Sequence, residues 1–295
     1  MDTRQLRTFL AIATNGTFAK AADIVGRTPS AVSQQMQALE QELNTTLFVR
    51  ASRPPKLTLQ GLQVLEMAKN ILRLEEDTKA ELRGDRITGT LVLGSVRSSA
   101  LNLLPQSIVQ LRTQYPDIKT NLRVSLSTIL ISDVASGRLD AAIVAEHLGF
   151  PSALRWSPFV KEPLWLIAPT GTEITDPIQL LRQRPYVRFR SDVPLAHLID
   201  TEISRLGIVT QDVAEIDTIM SIVTCVRQGM GISVVPHVAL NEPEDLELVR
   251  LPFGDPQITR QIGIVERTAS PRGELIARLH EVLAELCGEY GVARG

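Results

Sequence analysis

Between Thr17 and Leu43, apolar residues recur at spacings of three and four, with polar residues on the opposite face. The segment TFAKAADIVGRTPSAVSQQMQALEQEL therefore predicts two helices joined by a tight turn. Ala19, Ala21, Ala22, Ile24 and Val25 let the first helix lie close against a neighbour. Gly26 stands where a helix C-terminus needs a left-handed residue without a Cβ clash. Thr28 is the next N-cap, and Pro29 follows at the first helical position, where its missing N–H is no loss. Val32, Met36, Leu39 and Leu43 make the buried face of the second helix. Ser30, Ser33, Gln34, Gln35 and Gln37 make the polar one. Short hydroxyls and planar amides match base edges in a major groove. A helix–turn–helix with a polar second helix is a DNA-reading arrangement; an ordinary helical hairpin in a core gives the same short pattern.

The flanking segments extend this head. Leu6, Phe9, Leu10 and Ala13 share one helical face over residues 3–14, and Asn15-Gly16 closes that helix. Phe9, Phe18, Leu39, Leu43, Leu47 and Phe48 are its candidate core. Leu47–Arg50 and Lys56–Leu59 are short strand candidates around a Ser52-Arg53-Pro54-Pro55 turn, a two-stranded wing. Arg53 at its tip suits a minor groove or a phosphate, and a solvated turn residue is the competing reading. Residues 60–83 predict one long helix with Val64, Met67, Ile71, Leu74 and Thr78 in a stripe that Leu65, Ala68 and Leu72 widen. Pairing with a second copy would bury that stripe; packing against its own body is the alternative.

Beyond a linker at 84–89 the period changes. Thr90–Gly94, Lys119–Ser125 and Ala141–Val144 read as strands, with helices over Leu101–Tyr115 and Ser127–Ser136. A second unit begins near Pro163. Its strands are Trp165–Ala168, Tyr186–Phe189, Val213–Ile216 and Ile232–Val235, and its helices Ile178–Arg182, Leu195–Leu206 and Ile219–Arg227. A strand at Arg260–Val265 and a helix at Arg272–Tyr290 close the chain. Alternating strands and helices predict parallel sheets covered by helices, here in two lobes with a ligand crevice between them. The expected division is a DNA-binding head at 1–59, a linker and dimerisation helix at 60–88 and an effector domain at 89–295. Lobe I takes roughly 89–161 and 266–295, and lobe II roughly 162–265.

Charge sharpens the picture. Seven cations face four carboxylates in residues 1–60, a net +3, which leaves -5 for the rest of a chain of net charge -2. A basic head on an acidic body suits a protein that touches phosphates with one end. Cys225 and Cys287 form no ligand pair and read as buried thiols. No apolar run approaches about 20 residues and no signal segment opens the sequence, so a cytoplasmic protein is expected. His147, His197, His237 and His280 lack metal-ligand spacing, there is no Gly-x-Ser-x-Gly elbow, and Gly229-x-Gly231 lies between a helix and a strand, the wrong order for a dinucleotide fingerprint. No enzyme activity, metal or cofactor is expected.

The ordered set of short motifs resembles a LysR-type transcriptional regulator over nearly the full length. The head carries Leu6-Arg7-Thr8-Phe9, Thr17-Phe18 with Ala21-Ala22, Ala31-Val32-Ser33-Gln34-Gln35, Leu39-Glu40, Leu47–Arg50 and Leu57-Thr58. The body carries Leu104-Pro105, Tyr115-Pro116, Gly137–Ile143 and Gly229–Ile232 leading to Pro236. The resemblance implies a winged helix–turn–helix, a dimerising linker helix and a two-lobed α/β effector domain like a type 2 periplasmic binding protein. It further implies a homodimer or homotetramer on double-stranded promoter DNA, a small-molecule effector, and RNA polymerase as a partner where the regulator activates. This chain has Pro29-Ser30 where many members have Gln-Pro, and Gln34 where many have Arg, so the operator preference does not carry over.

Carried onto this sequence, the DNA-contacting positions are Pro29, Ser30, Ser33 and Gln34 on the reading helix and Arg53 on the wing. Arg50 is a candidate phosphate contact or a brace of the wing. For the effector, Ser98, Ser127 and Thr218 match the family's polar pocket positions, at helix N-termini that favour an anion. Plain N-capping is the alternative for each. Arg97 adds a cation beside Ser98, and Arg190 and Ser191 follow a strand of the opposite lobe. A small polar or anionic effector follows. A ligand-binding protein whose head joins other proteins is the second reading; the Ser/Gln-rich face and the basic wing weigh against it. His147 and Trp156 stay open between pocket and surface.

Overall fold

A computed structural model describes residues 1–49, 52, 54–82, 89–101, 103–147, 149–173, 176–190, 192–240 and 247–289. The chain divides into two compact units, Met1–Gly89 and Thr90–Gly295.

The first unit opens with helix α1, Thr3–Asn15, started by a reciprocal pair of hydrogen bonds. The Asp2 carboxylate accepts the Gln5 N–H, and the Gln5 side chain accepts the Asp2 N–H, both at 2.8 Å. Helix α2, Phe18–Val25, is capped by Thr17 and ends at Gly26, whose φ of 63° is left-handed. Helix α3, Pro29–Glu42, starts at Thr28, as the sequence predicts. Strands β1, Phe48–Val49, and β2, Lys56–Leu57, pair antiparallel as the wing. Phe9 and Phe18 both pack on Phe48, with ring centroids 5.5 and 5.4 Å apart. Helix α4, Leu59–Leu82, follows directly, and the Thr58 hydroxyl accepts the Gly61 N–H at its start.

The stripe on α4 divides where the sequence offered one face. Ala68 and Leu72 are buried in the same core as Leu6, Phe9 and Ile12, with Val64, Met67 and Ile71 partly buried beside them. Arg7 of α1 pairs with Glu75 and Glu76 of α4, fastening the two helices from outside. Leu59, Leu62 and Leu74 remain exposed. The helix thus packs on its own head and keeps a second apolar edge.

The second unit is built on strands β3 (Gly89–Ser95), β4 (Ile118–Val124), β5 (Ala141–Ala145) and β6 (Leu154–Ala168). Helices α5, Leu103–Gln114, and α6, Ser127–Ala135, connect the first three. Next come α7 (Pro177–Gln183), β7 (Pro185–Phe189), α8 (Pro194–Arg205), β8 (Gln211–Ile216), α9 (Ile219–Arg227) and β9 (Ser233–Pro236). A 3-10 turn at His237–Ala239, strands β10 (Val249–Pro252) and β11 (Thr259–Arg267), and helix α10 (Gly273–Glu289) complete it.

The sheets are mixed rather than parallel throughout. A seven-stranded sheet runs β10-β6-β11-β5-β3-β4, with β9 also on β6. β3 and β5 are parallel, but β11 is antiparallel to both β5 and β6, and β9 and β10 are antiparallel to β6. β7 and β8 form a separate parallel pair. The 15-residue strand β6 serves both lobes: its first part lies along β11, and Leu164–Ala168 lies along β9 and β10. Only the Trp165–Ala168 end is apolar enough to be legible in sequence; Pro158 breaks the pattern upstream. The proline sits opposite Gly263, at a register shift that removes the need for its missing N–H. β11 pairs with β5 from Ile262 to Glu266. The lobe II core gathers Leu166, Ile167, Tyr186, Val187, Ile222 and Val234, all at most 1% exposed.

Candidate nucleic-acid interface and effector cleft

On α3 the apolar row Val32, Met36 and Leu39 is buried, while Pro29, Ser30, Gln34 and Gln37 stand exposed on the other side and Ser33 is half-buried. The Thr28 hydroxyl accepts the Ala31 N–H at 3.3 Å and lies 3.1 Å from the Ser30 hydroxyl, so cap and first polar residue are held together. Gln35 departs from the expected polar face. Its Oε1 accepts the Thr8 hydroxyl at 2.9 Å, which fastens α3 to α1. Glu40, which the sequence marks only as part of a motif, braces the wing. Its Oε1 accepts the N–H groups of Leu47 and Phe48 at 2.6 and 3.3 Å, which ties β1 to α3. Arg50 and Arg53 lie outside the described residues.

In the second unit a cavity of about 110 Å³ opens where strand ends meet helix beginnings. Val96, Arg97, Ser98 and Ser125 border it from the ends of β3 and β4, and Leu126 and Ser127 from the start of α6. Phe189 of β7, Val193–Leu195 at the start of α8, and Asp217–Met220 at the start of α9 face them from the other lobe. The crevice outside strand ends is where such sheets bind ligands. Arg97, Ser98, Ser127 and Thr218 are thus brought together; Ser98 and Ser127 are buried. Arg190 is not among the lining residues, and its guanidinium donates to Glu215 on β8. Ser191 lies outside the described residues.

Capping does not account for Ser127 or Thr218. The N-cap of α6 is Leu126, with Ser127 already helical, and no side chain caps that end. Thr218 is the N-cap of α9, yet its hydroxyl bonds to Asp217 at 3.1 Å and caps nothing. Helix α8 likewise starts at Val193 without a side-chain cap. Three helix N-termini whose N-cap residues make no side-chain cap bond therefore open on one cavity, a positive partial charge at each.

Arg260 was not singled out by the sequence. It borders the same cavity from β11 with its side chain 9% exposed. A lone arginine opening a strand carries no motif, so nothing in the sequence marked it. Across the mouth Arg97 Nη1 lies 4.0 Å from Asp217, both side chains well exposed, a contact of little energetic weight. Behind Phe189, Arg188 donates to Asp200, Asp212 and Thr210 and holds β7 against β8. Burial opposes ionisation of Asp212, but the Arg188 and Thr210 hydrogen bonds outweigh it and keep its carboxyl below the usual range. His147 and Trp156 lie outside the cavity wall, in an aromatic cluster where Phe150 stacks on Trp156 at 5.7 Å and faces His147 at 6.1 Å. Among the described residues, no helix is long and apolar enough to cross a membrane, and no cluster of His, Cys, Asp and Glu could hold a metal.

A winged helix–turn–helix joined in one chain to a two-lobed domain with an interlobe cavity defines a ligand-responsive DNA-binding regulator. Comparison with known proteins agrees. Residues 3–62 match the family model of the bacterial regulatory helix-turn-helix proteins of the lysR family, and residues 84–288 match that of the LysR substrate binding domain. A probable RuBisCO transcriptional regulator of Cyanidioschyzon merolae is 32% identical, over 83% of this chain and 85% of its own. An uncharacterized HTH-type transcriptional regulator of Bacillus subtilis, YusT, is 26% identical over 85% and 84%. Among solved structures, full-length OxyR from Pseudomonas aeruginosa superposes with a TM-score of 0.69 at 21% identity, covering 96% of this chain and 94% of that one. Full-length CbnR complexed with its target DNA gives 0.67 at 20%, covering 97% and 99%. The chain belongs to the LysR family: it is a DNA-binding transcriptional regulator with an effector-binding domain.

Proposed function

We propose that the protein reads a promoter through Pro29, Ser30, Ser33 and Gln34, with Arg50 and Arg53 of the wing on the backbone or minor groove. Residues 1–59 act as the reading head, 60–88 as the dimerising linker and 89–295 as the sensor. Two heads reading two half-sites follow from a homodimer, or from a homotetramer built of such pairs. The exposed Leu59, Leu62 and Leu74 supply an apolar edge on α4 for a second copy. Where the protein activates, RNA polymerase is the further partner. The sensor takes a small polar or anionic effector between Arg97, Ser98, Ser127 and Thr218. Arg190, whose guanidinium donates to Glu215, and Ser191 are further candidates from the opposite lobe. The effector acts by binding one arrangement of the protein more tightly than another, since equal affinity would shift nothing.

The observation that carries the DNA reading is the division of α3: an apolar row locked in the core, and an exposed row of a proline, a serine and amides on the other side. Binding full-length protein to a pool of random duplexes and sequencing the bound fraction tests it. Enrichment of two related half-sites, with affinity falling steeply as salt rises, is the expected result. No enrichment at low salt would remove the assignment of these residues.

A further inference from the structure

We propose that Arg260 is the charge anchor of the effector, and that the effector is a small monocarboxylate with an apolar body. The inference rests on the interlobe-cavity reading and deepens it. Arg260 sits where β11 passes between the lobes, nine-tenths buried and in the cavity wall. Its Nε donates to Glu162 Oε2 at 2.7 Å. Its Nη2 lies 2.7 Å from that same oxygen but is buried without a hydrogen bond. The other Glu162 oxygen accepts the Val238 N–H at 2.7 Å. Both Glu162 oxygens are thus engaged, and the guanidinium fork has more N–H groups than the one oxygen it faces can satisfy. Nη2 is enclosed against Glu162, so an entering acceptor would meet the fork at Nη1.

The surroundings select the acceptor. Three uncapped helix N-termini open on the cavity from two lobes. Asp217 is the one acid among the described lining residues, and it stands well exposed at the mouth beside Arg97. Arg260 is already paired with Glu162, so the field that favours an anion over a neutral molecule comes from the helix N-termini and from the spare N–H groups of the guanidinium. Leu101, Leu126, Phe189, Leu195 and Met220 make the remaining wall apolar. With one buried cation and about 110 Å³, a second charge on the ligand would be desolvated against hydrocarbon. A single carboxylate on a short apolar body fits; a dianion does not.

Calorimetric titration and thermal unfolding of the full-length protein test this with hexanoate and cyclohexanecarboxylate against their amides, and against the dianion adipate. The acids should bind and raise the melting temperature, with amides and adipate at least about tenfold weaker. Arg260→Gln should bring the acids down to the level of the amides. Glu162→Gln, which keeps an acceptor for Val238 and releases the guanidinium, should tighten the acids. Amides equal to acids, no binding of either acid at millimolar concentration, or unchanged acid binding by a folded Arg260→Gln protein would each overturn the proposal. Should Arg260→Gln fail to fold, the acid–amide comparison and Glu162→Gln decide. Leu126→Trp narrows the cavity and separates the two levels. Acid binding lost in Leu126→Trp but kept in Arg260→Gln removes the anchor and leaves the cleft. Acid binding indifferent to Leu126→Trp removes the cleft reading itself.

Discussion

Glu40 reaches back from the last turns of α3 to accept the Leu47 N–H at 2.6 Å, and the Phe48 N–H at 3.3 Å. The contact joins α3, the proposed reading helix, to the first strand of the wing. Glu40→Ala leaves both backbone donors without this partner in a partly buried place, a loss of about 1.5–3 kcal/mol for hydrogen bonds to a charged group. The expected outcome is a lower denaturant midpoint for the head, and weaker DNA binding with helix content nearly unchanged. Glu40→Gln, which retains one acceptor oxygen, should recover most of the stability. Circular dichroism in a urea series and DNA affinity measured together decide this.

Neighbouring amides on α3 should behave in opposite ways. Gln34 is exposed, while Gln35 accepts the Thr8 hydroxyl. Gln34→Ala is expected to cost about 1–3 kcal/mol on the preferred operator and to relax its selectivity. Gln35→Ala should instead lower stability by about 0.5–1.5 kcal/mol and leave the sequence preference in place. Affinity on matched and random duplexes beside a urea titration reads both. Equal weakening of Gln34→Ala on every duplex would make that residue a positioning contact.

The contrast between these two glutamines shows how far sequence reading reaches. The head was legible because its signals are local: a proline after a capping threonine, a left-handed glycine, and apolar spacing that matches the helix. Gln35 and Glu40 could not be assigned, because their partners, Thr8 and Leu47, are fixed only when the helices cross. In the body, apolar runs such as Ala141–Val144 announce strands but not their direction, so the antiparallel placement of β11 was hidden. Ser98, Ser127 and Thr218 were found through the resemblance and the positions of helix starts. Arg260 lies on the cavity only because β6 and β11 run side by side, and no spacing within the chain encodes that.

Gly231 shows the same dependence on tertiary approach. A Cβ there would stand 2.3 Å from the Pro185 carbonyl oxygen. The close approach lets Ile232 donate to Pro185 at 2.8 Å and accept from Val187 at 2.9 Å, which sets β7 beside the run into β9. Gly231→Ala forces backbone against backbone and should destabilise lobe II by about 1–3 kcal/mol or more. A thermal melt should show a lower midpoint for the mutant. A melt unchanged from the parent would mean that the two segments separate at little cost.

Cys287 is buried on α10, and its thiol is pushed up to about 12, first by burial and then by the charge of Glu162. The folded state holds the proton more tightly than the unfolded chain, where a thiol titrates near about 8.5. By linkage the contribution is fully present below about 8.5 and is lost as pH rises through the folded value. Stability should therefore decline over this alkaline window more steeply than in Cys287→Ala, after allowance for that variant's lower baseline. A thiol reagent at mildly alkaline pH should label Cys225, which is only partly buried, before Cys287. Faster labelling of Cys287 in the native protein would contradict its enclosure.

Thr218 separates capping from ligand recognition. If its hydroxyl capped α9, Thr218→Val would cost about 1 kcal/mol of stability. In the structure that hydroxyl points to Asp217 and no side chain caps the helix, while the residue borders the cavity. Thr218→Val should accordingly leave the melting temperature nearly where it was and reduce the response to a cavity-binding acid severalfold. Ser127→Ala should behave alike, because Ser127 is inside the first turn of α6 and not its cap. The readouts are independent: denaturation without ligand, and promoter binding with the ligand titrated in. Loss of stability with an unaltered ligand response would return both hydroxyls to ordinary helix ends, and the sensor would then rest on Arg260, Ser98 and the backbone N–H groups alone.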